Sequence, residues 1–328
     1  MKLTLDKVAI MHPNFSISDI SFTVEDGKFF GLIGESGCGK TTIAKAILRI
    51  LPESAKLTSG RILINGKDIS LMGRDVVNQK IGYISQNFAG SLCDNITIEK
   101  HLRYKLKSLG INDVIEQNKQ IHQILVMVGL PDDQSVNEKS ILQFIKKYPA
   151  FNQISGGQKQ KMCIAISLLG NPELLIADEA TSALDASVKL SFMQRLIDIQ
   201  KQTGITIMFI THDLLLINRF ADSIAIICKS EDHECKRKNH GQIVEHCKSK
   251  PFMLYHPYSV ALKNAIPRKQ KVLYKENAIP LCGEMSENSC LYAEQCIQRD
   301  SLCLEESPPK QDINNNTVWC HYPVEESF

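Results

Sequence analysis

The most constraining feature of this chain is Gly34-Glu35-Ser36-Gly37-Cys38-Gly39-Lys40-Thr41, which fits Gly-x-x-x-x-Gly-Lys-Ser/Thr. An apolar run, Lys28 to Ile33, leads into it, and a helical pattern from Thr41 to Leu51 leaves it, stopped by Pro52. Glycines let the backbone curl so that successive N–H groups point at phosphate oxygens, and the following helix adds its positive end. Lys40 is expected to reach the β- and γ-phosphates of a nucleotide, and Thr41 to hold Mg²⁺. A chance glycine-rich turn would lack this flanking strand and helix.

Hydrolysis of a nucleotide needs a carboxylate for the metal and a group that orients water. Leu174-Leu175-Ile176-Ala177-Asp178-Glu179 supplies both at the end of an apolar strand. Asp178 is expected to reach Mg²⁺, and Glu179 to act as general base. Taken alone, such a pair usually marks a solvated strand end. Downstream of a phosphate loop it carries weight.

The rest of the chain is ordinary for a soluble globular protein, with 328 residues, 43% hydrophobic and 23% charged. A net charge of +2 speaks against a nucleic-acid binder that relies on bulk charge and leaves local patches open. No run reaches about 18 apolar residues, so no bilayer span is expected. The first residues lack an apolar core of signal-peptide length, so a cytoplasmic location is expected. Thiols are kept reduced there. Four of the 11 Cys crowd the last 40 residues, which suggests metal more than disulfides.

Residues 1–30 read as alternating strands, such as Ser18 to Val24, and residues 60–86 return to strand-like alternation. From about 95 to 150 the apolar spacing is helical, as at Ile121, Ile124, Leu125 and Val128. Strand 174–177, helix 186–202 and strand 205–210 then imply a parallel sheet flanked by helices. Residues 251–328 hold few periodic runs and read as a small appended domain.

Ile154-Ser155-Gly156-Gly157-Gln158 resembles the signature sequence of ATP-binding cassette (ABC) ATPases, with Ile for the usual Leu. Gln86 fits their Q-loop, Ser182-Ala183-Leu184-Asp185 their D-loop, and His212 their switch histidine. The resemblance covers residues 1 to about 247. It implies an α/β P-loop NTPase cassette: a parallel sheet core, an antiparallel β subdomain and a helical signature subdomain at about 95–165. Residues 248–328 would form a C-terminal extension. The family's head-to-tail dimer would hold ATP between the phosphate loop of one copy, Gly34 through Thr42, and Ser155, Gly156, Gly157 and Gln158 of the other. Thr41, Gln86 and Asp178 would hold Mg²⁺. Glu179, His212, Lys40 and Gln86 would carry the reaction, with His212 bridging Glu179, the γ-phosphate and the neighbouring D-loop. For the adenine-stacking residue the resemblance points to Met11 or His12, with Phe15 near, and His12 is preferred because imidazole can stack.

His256-Pro257-Tyr258-Ser259 resembles the His-Pro-Tyr-Thr segment of oligopeptide, dipeptide and nickel importer ATPases. Cys290, Cys296, Cys303 and Cys320 are similar to that subfamily's C-terminal cysteine pattern, which holds a 4Fe–4S cluster in some members. Four thiolates also suit tetrahedral zinc, and free or disulfide-forming thiols remain a third reading. Cys282 has no assigned role.

The chain departs from the family in four places. Tyr148 to Gln153 is longer than usual, Ala180 replaces a Pro, and Cys93-Asp94 replaces Asn-Pro. An insertion around Glu231 to His240 carries His233, Cys235 and His240, flanked by Cys228, His246 and Cys247. It reads either as a solvated loop or as a second metal site. Cys38 is expected either to be an acidified thiol at a helix N-terminus or to be packing.

The resemblance thus implies the ATPase subunit of an importer, peripheral on the cytoplasmic face of the cell membrane. Its partners would be a second cassette, two membrane permeases and an extracytoplasmic substrate-binding protein. No nucleic acid is expected. Peptides, nickel and related solutes stay open as cargo. The alternative is a soluble cassette acting on ribosomes or nucleic acid, which the single phosphate loop and the lack of long heptad runs disfavour. A catalytically weak regulatory subunit is a third reading, against which the motifs are too complete.

Overall fold

Alternation from Leu3 to Val24 produces two antiparallel strands, β1 (Leu3–His12) and β2 (Phe15–Val24), joined by a tight turn. The computed structural model describes residues 1–87, 96–130, 145, 153–182, 184–230, 239–265 and 289–327. They fall into two compact units, one of Met1 and Ser70–Phe209, the other of Lys2–Ile69 and Ile210–Phe328.

The second unit begins with β1 and β2 and continues through β3 (Phe29–Ile33), α1 (Lys40–Ile47), β4 (Lys56–Ile64) and β5 (Lys67–Asp68). Every residue of β3 is buried, as expected of a strand covered on both faces. Phe30 in β3 stacks on Phe22 of β2, with ring centroids 4.8 Å apart.

The first unit holds α2 (Arg74–Lys80), β6 (Ile81–Ile84), α3 (Ile98–Ser108), α4 (Val114–Met127), α5 (Gly156–Leu168), β7 (Leu174–Asp178), α6 (Ala186–Thr203) and the start of β8 (Thr206–Thr211). β6 and β7 pair in parallel, and β8 lies on the other side of β7. Helices α3 and α4 follow the expected apolar spacing, and Thr97 and Asp113 cap them by accepting from Lys100 N and Glu116 N. Residues 74–80 correct the strand reading of 60–86, since they form a helix. Only Val77 of this helix is buried, which suits a short helix exposing its other sides.

The chain returns to the second unit within β8. It adds α7 (Leu214–Phe220), β9 (Ser223–Lys229), β10 (Asn239–Cys247), β11 (Met253–Leu254), α8 (Pro257–Asn264), α9 (Ser301–Glu305), β12 (Lys310–Ile313), β13 (Asn316–Trp319) and β14 (Glu326–Ser327). The sheet of this unit runs β5-β4-β1-β2-β10-β9-β3, with β3 parallel to β9 and β10 parallel to β2. β13 pairs antiparallel with β10 and with β12, so residues 310–319 extend the same sheet.

Glu245 on β10 ties this region together. Its side chain is fully buried, and its two oxygens accept from Tyr255 N at 2.7 Å and His256 N at 3.2 Å. Burial pushes its pKa up to about 7, only partly offset by those hydrogen bonds. A carboxyl whose folded pKa is raised stabilises the fold below its unfolded pKa and loses that contribution as pH rises through the folded value. The window here runs from about 4.5 to about 7 and is worth about 3 kcal/mol. Glu245→Gln cannot titrate. The unfolding free energy of the wild type relative to this variant, from urea titrations, is therefore expected to fall by that amount across the window. A difference independent of pH would refute the assignment.

Candidate functional site

In the second unit, the phosphate loop leaves β3 and closes into α1. Gly37 has φ 83° and Gly39 has φ 103°, both in the left-handed region that side chains avoid. Gly39 also has no room for a side chain, because a Cβ there would lie 2.7 Å from Ile17 and 3.0 Å from the Phe15 ring. Glu35, Ser36 and Gly37 are exposed at the loop tip, whereas Gly34, Cys38 and Lys40 are buried. Thr41 and Thr42 follow on the first turn of α1, half-buried.

Lys40 Nζ donates to Gly34 O at 2.8 Å and Glu35 O at 2.7 Å, so the ammonium bridges the mouth of its own loop. Cys38 is fully buried, with Sγ 3.7 Å from Lys40 Nζ. Its pKa is raised by burial, which the nearby ammonium only partly offsets. Of the two readings of Cys38, packing is the one this geometry favours: the buried Sγ lies against Gly34, where a Cβ would be 2.8 Å away.

His12 ends β1, half-buried, with its Nε2 3.0 Å from Ser54 Oγ. Phe15, which opens β2, lies against Gly39 of the phosphate loop. His212 follows β8 and is exposed, and the next residue, Asp213, caps α7 by accepting from Leu216 N at 3.0 Å. His240, read as part of the insertion, is instead a strand residue of β10, with its ring nitrogens each 2.8 Å from Ser16 Oγ and Ser18 Oγ. Cys228, His246 and Cys247 lie buried on β9 and β10. His233 and Cys235 lie outside the described residues, as do Ala183, Cys93, Asp94, Cys282 and residues 148–152.

In the first unit, the acidic pair ends β7. Asp178 is buried and its Oδ2 accepts from the Tyr83 hydroxyl at 3.1 Å. Burial, then the Asp178 charge, pushes the Tyr83 phenol up, so it stays a donor. Glu179 has φ 47°, unusual for a residue with a side chain, and its carbonyl accepts from Ser182 N at 3.0 Å to close a turn. Gln86, exposed just past β6, donates from Nε2 to Glu179 Oε2 at 2.9 Å. Gln86 and Glu179, singled out from separate motifs, thus meet across the parallel strands β6 and β7. Tyr83 was missed by the sequence reading. Its signal was its place in the strand three residues ahead of Gln86.

The signature residues form the start of α5. Ser155 Oγ accepts from Gln158 N at 3.2 Å, and the Gln158 side chain returns to Ser155 N at 3.2 Å, a reciprocal cap. Ser155, Gly156 and Gly157 are exposed, and a Cβ on either glycine would meet nothing within 4 Å. The far end of α5 is seated on β6, where Gly82 lets the Ser167 carbonyl approach so closely that a Cβ would be 2.2 Å from it.

Beyond residue 250, Cys290, Cys296, Cys303 and Cys320 line one narrow cavity of about 10 Å³, together with His256, Tyr292 and Tyr322. That is about the room of one water. All four thiols are free. Burial, reinforced by the neighbouring cysteines, pushes Cys290 up to about 11 and Cys320 up to about 12, and Cys296 and Cys303 are raised too. No three His, Cys, Asp or Glu among the described residues stand close enough to hold a metal as placed. The donor set nevertheless suits a thiolate-ligated metal group, whose loading would have to displace the protons and rearrange the cysteines.

Residues 17–182 match the ABC transporter family profile. The chain is 28% identical over 317 residues to the oligopeptide transport ATP-binding protein AppF of Bacillus subtilis (strain 168), covering 93% of this chain and 89% of that one. It is 30% identical over 322 residues to the dipeptide transport ATP-binding protein DppD of the same organism, covering 93% and 88%. Among solved structures it shares its fold with a component of the ABC transporter complex cbiONQ from Clostridium perfringens, at TM-score 0.57 and 24% identity over 68% of this chain and 83% of that one. With a glycine-built phosphate loop, a capped and exposed signature and a carboxylate pair at a strand end, and with a relative 30% identical across nearly the full length of both proteins, the chain belongs to the ABC transporter family and is one of its ATP-binding ATPases.

Proposed function

We propose that this chain is the ATP-hydrolysing subunit of an importer for peptides, nickel or a related small solute. The observation that supports it most is the Gln86–Glu179 hydrogen bond beside buried Asp178 and Tyr83, which assembles separately recognised motifs at one strand end. Peptides are favoured as cargo because the similarity to peptide-transport relatives runs over 93% of the chain, well past the family profile and into the C-terminal residues.

In this reading Glu179 accepts the proton of the attacking water as its oxygen bonds to the γ-phosphorus and the bond to the bridging oxygen breaks, releasing ADP. Gln86 orients Glu179, Lys40 exchanges its loop carbonyls for phosphate oxygens, and His212 steadies the γ-phosphate. Thr41, Gln86 and Asp178 would hold Mg²⁺, which would supply positive charge to offset that of the phosphates. The fit is chemical: hydroxyl, amide and carboxylate oxygens suit a hard cation. Ser155, Gly156, Gly157 and Gln158 of a second cassette cap the γ-phosphate, and His12 stacks on adenine. Two permeases and an extracytoplasmic binding protein complete the assembly at the cytoplasmic face of the membrane. Among the described residues no helix is long and apolar enough to cross it.

The C-terminal cysteines are read as ligands of a 4Fe–4S cluster. An affinity-tagged full-length chain, purified anaerobically with its membrane complex in detergent, tests both parts. Copurifying permeases and ATP turnover support the importer, and copurifying ribosomes or nucleic acid overturn it. About four irons and four sulfides per chain, lost when the four cysteines become Ser, support the cluster.

A further inference from the structure

Other polar side chains line the cysteine cavity, among them two histidines: His321, whose Nε2 lies 3.2 Å from Glu306 O, and His256. His256 is 1% exposed and lines the cavity with the four cysteines. It caps α8, where its Nδ1 accepts from Tyr258 N at 3.1 Å. Accepting at Nδ1 leaves the proton of the neutral ring on Nε2. That Nε2–H is buried and has no hydrogen-bond partner among the described residues. Ser289 Oγ, next to Cys290, is orphaned in the same way. Leaving a buried donor without a partner is costly, so one that lines a set of thiols points to a ligand.

We infer that His256 belongs to the C-terminal metal site and that its Nε2–H donates to a sulfur of the group held by Cys290, Cys296, Cys303 and Cys320. This rests on the reading of those cysteines as cluster ligands. Two neighbouring facts define the role. The ring position is set from outside the cavity by Glu245, which accepts from His256 N, and by the α8 cap. Tyr292, which also lines the cavity, packs edge-on against Tyr258 with centroids 5.3 Å apart and tilts against His256 at 6.2 Å. His256 therefore has little freedom to turn away. A hydrogen bond to cluster sulfur stabilises the more negative, reduced state and raises the reduction potential.

The test compares the wild type with His256→Asn in the full-length chain, purified anaerobically. Asn is as good an N-cap as any residue, so α8 keeps its cap, but its side chain is too short to carry a donor into the cavity. Both proteins are analysed for iron and sulfide, titrated potentiometrically, and examined after reduction by pulsed EPR with ¹⁵N-histidine labelling. The expected result is equal cluster content, a more negative potential in the variant, and a histidine ¹⁵N coupling present in the wild type alone. An intact cluster with the same potential and no ¹⁵N coupling in the wild type overturns the role of His256 and leaves the cluster standing. Zinc, or no metal, in the wild type overturns the cluster reading and this inference with it.

Discussion

Glu179→Gln is expected to lower steady-state ATP hydrolysis by at least about 100-fold, as loss of a general base does, while ATP stays bound. The structure explains why the change would be so confined. Gln keeps the size of Glu, and its amide oxygen can still accept from Gln86 Nε2, the bond now 2.9 Å long. The turn that holds residue 179 at φ 47° is made by its backbone, through Ser182 N, and survives the substitution. Only the proton acceptor is removed. In the importer reading, two variant chains then remain paired around unhydrolysed ATP, so size-exclusion chromatography with ATP should show an accumulated dimer. Turnover within a few fold of wild type would remove Glu179 from the role of base. Strained backbone at such a residue fits a pattern seen at reacting sites, where tertiary structure holds a group in a conformation its own chain disfavours.

Gly157→Asp is expected to abolish hydrolysis as fully, for a different reason and without damage to the fold. Nothing lies within 4 Å of a Cβ at Gly157, so the aspartate meets open space in the single chain. The Ser155–Gln158 cap is untouched. Nucleotide affinity of the isolated chain is expected to stay within about 3-fold, since the phosphate loop lies elsewhere in the chain. The new carboxylate would instead face the γ-phosphate across the proposed cassette dimer, where a like-charge contact costs several kcal/mol. The contrast with Gly39 is instructive. There a methyl group alone would overlap Ile17 and Phe15 at a φ of 103°, so a substitution deforms the loop itself. Equilibrium binding of a fluorescent ATP analogue, beside turnover, separates the two cases. Loss of binding in Gly157→Asp would show that the signature glycines serve the fold rather than a partner.

Much of the nucleotide machinery was legible because its chemistry is local. A phosphate loop needs particular residues at adjacent positions, and so do a capped signature helix and an acidic pair after an apolar strand. The signature was read from Ile154-Ser155-Gly156-Gly157-Gln158 as they stand, and the reciprocal cap that the structure shows there is a four-residue event within that stretch. Helices α3 and α4 were legible from apolar spacing, whereas α2 was not, because seven residues with one buried side chain carry too little periodicity.

The relations that span the sequence were not legible. Gln86 and Glu179 are 93 positions apart and meet only because β6 and β7 pair in parallel in a particular register. The state of Cys38 stayed open between two readings because helix position suggests acidity, while burial, a tertiary property, raises the pKa. Glu245 looks like any strand carboxylate until β13 and the 255–256 turn close over it. His256 looks like a turn residue until the fold sets it in one cavity lining with the four cysteines.

The chain by itself therefore determined that this protein binds and hydrolyses ATP, since those motifs are short and their spacing is dictated by phosphate and carboxylate chemistry. Tertiary structure alone decided which distant residues share an environment, and hence which carboxyl has its pKa raised, which phosphate-loop thiol is buried and which histidines line the cysteine cavity. Burial sets all three, and burial is a property of the packed chain rather than of any stretch of it.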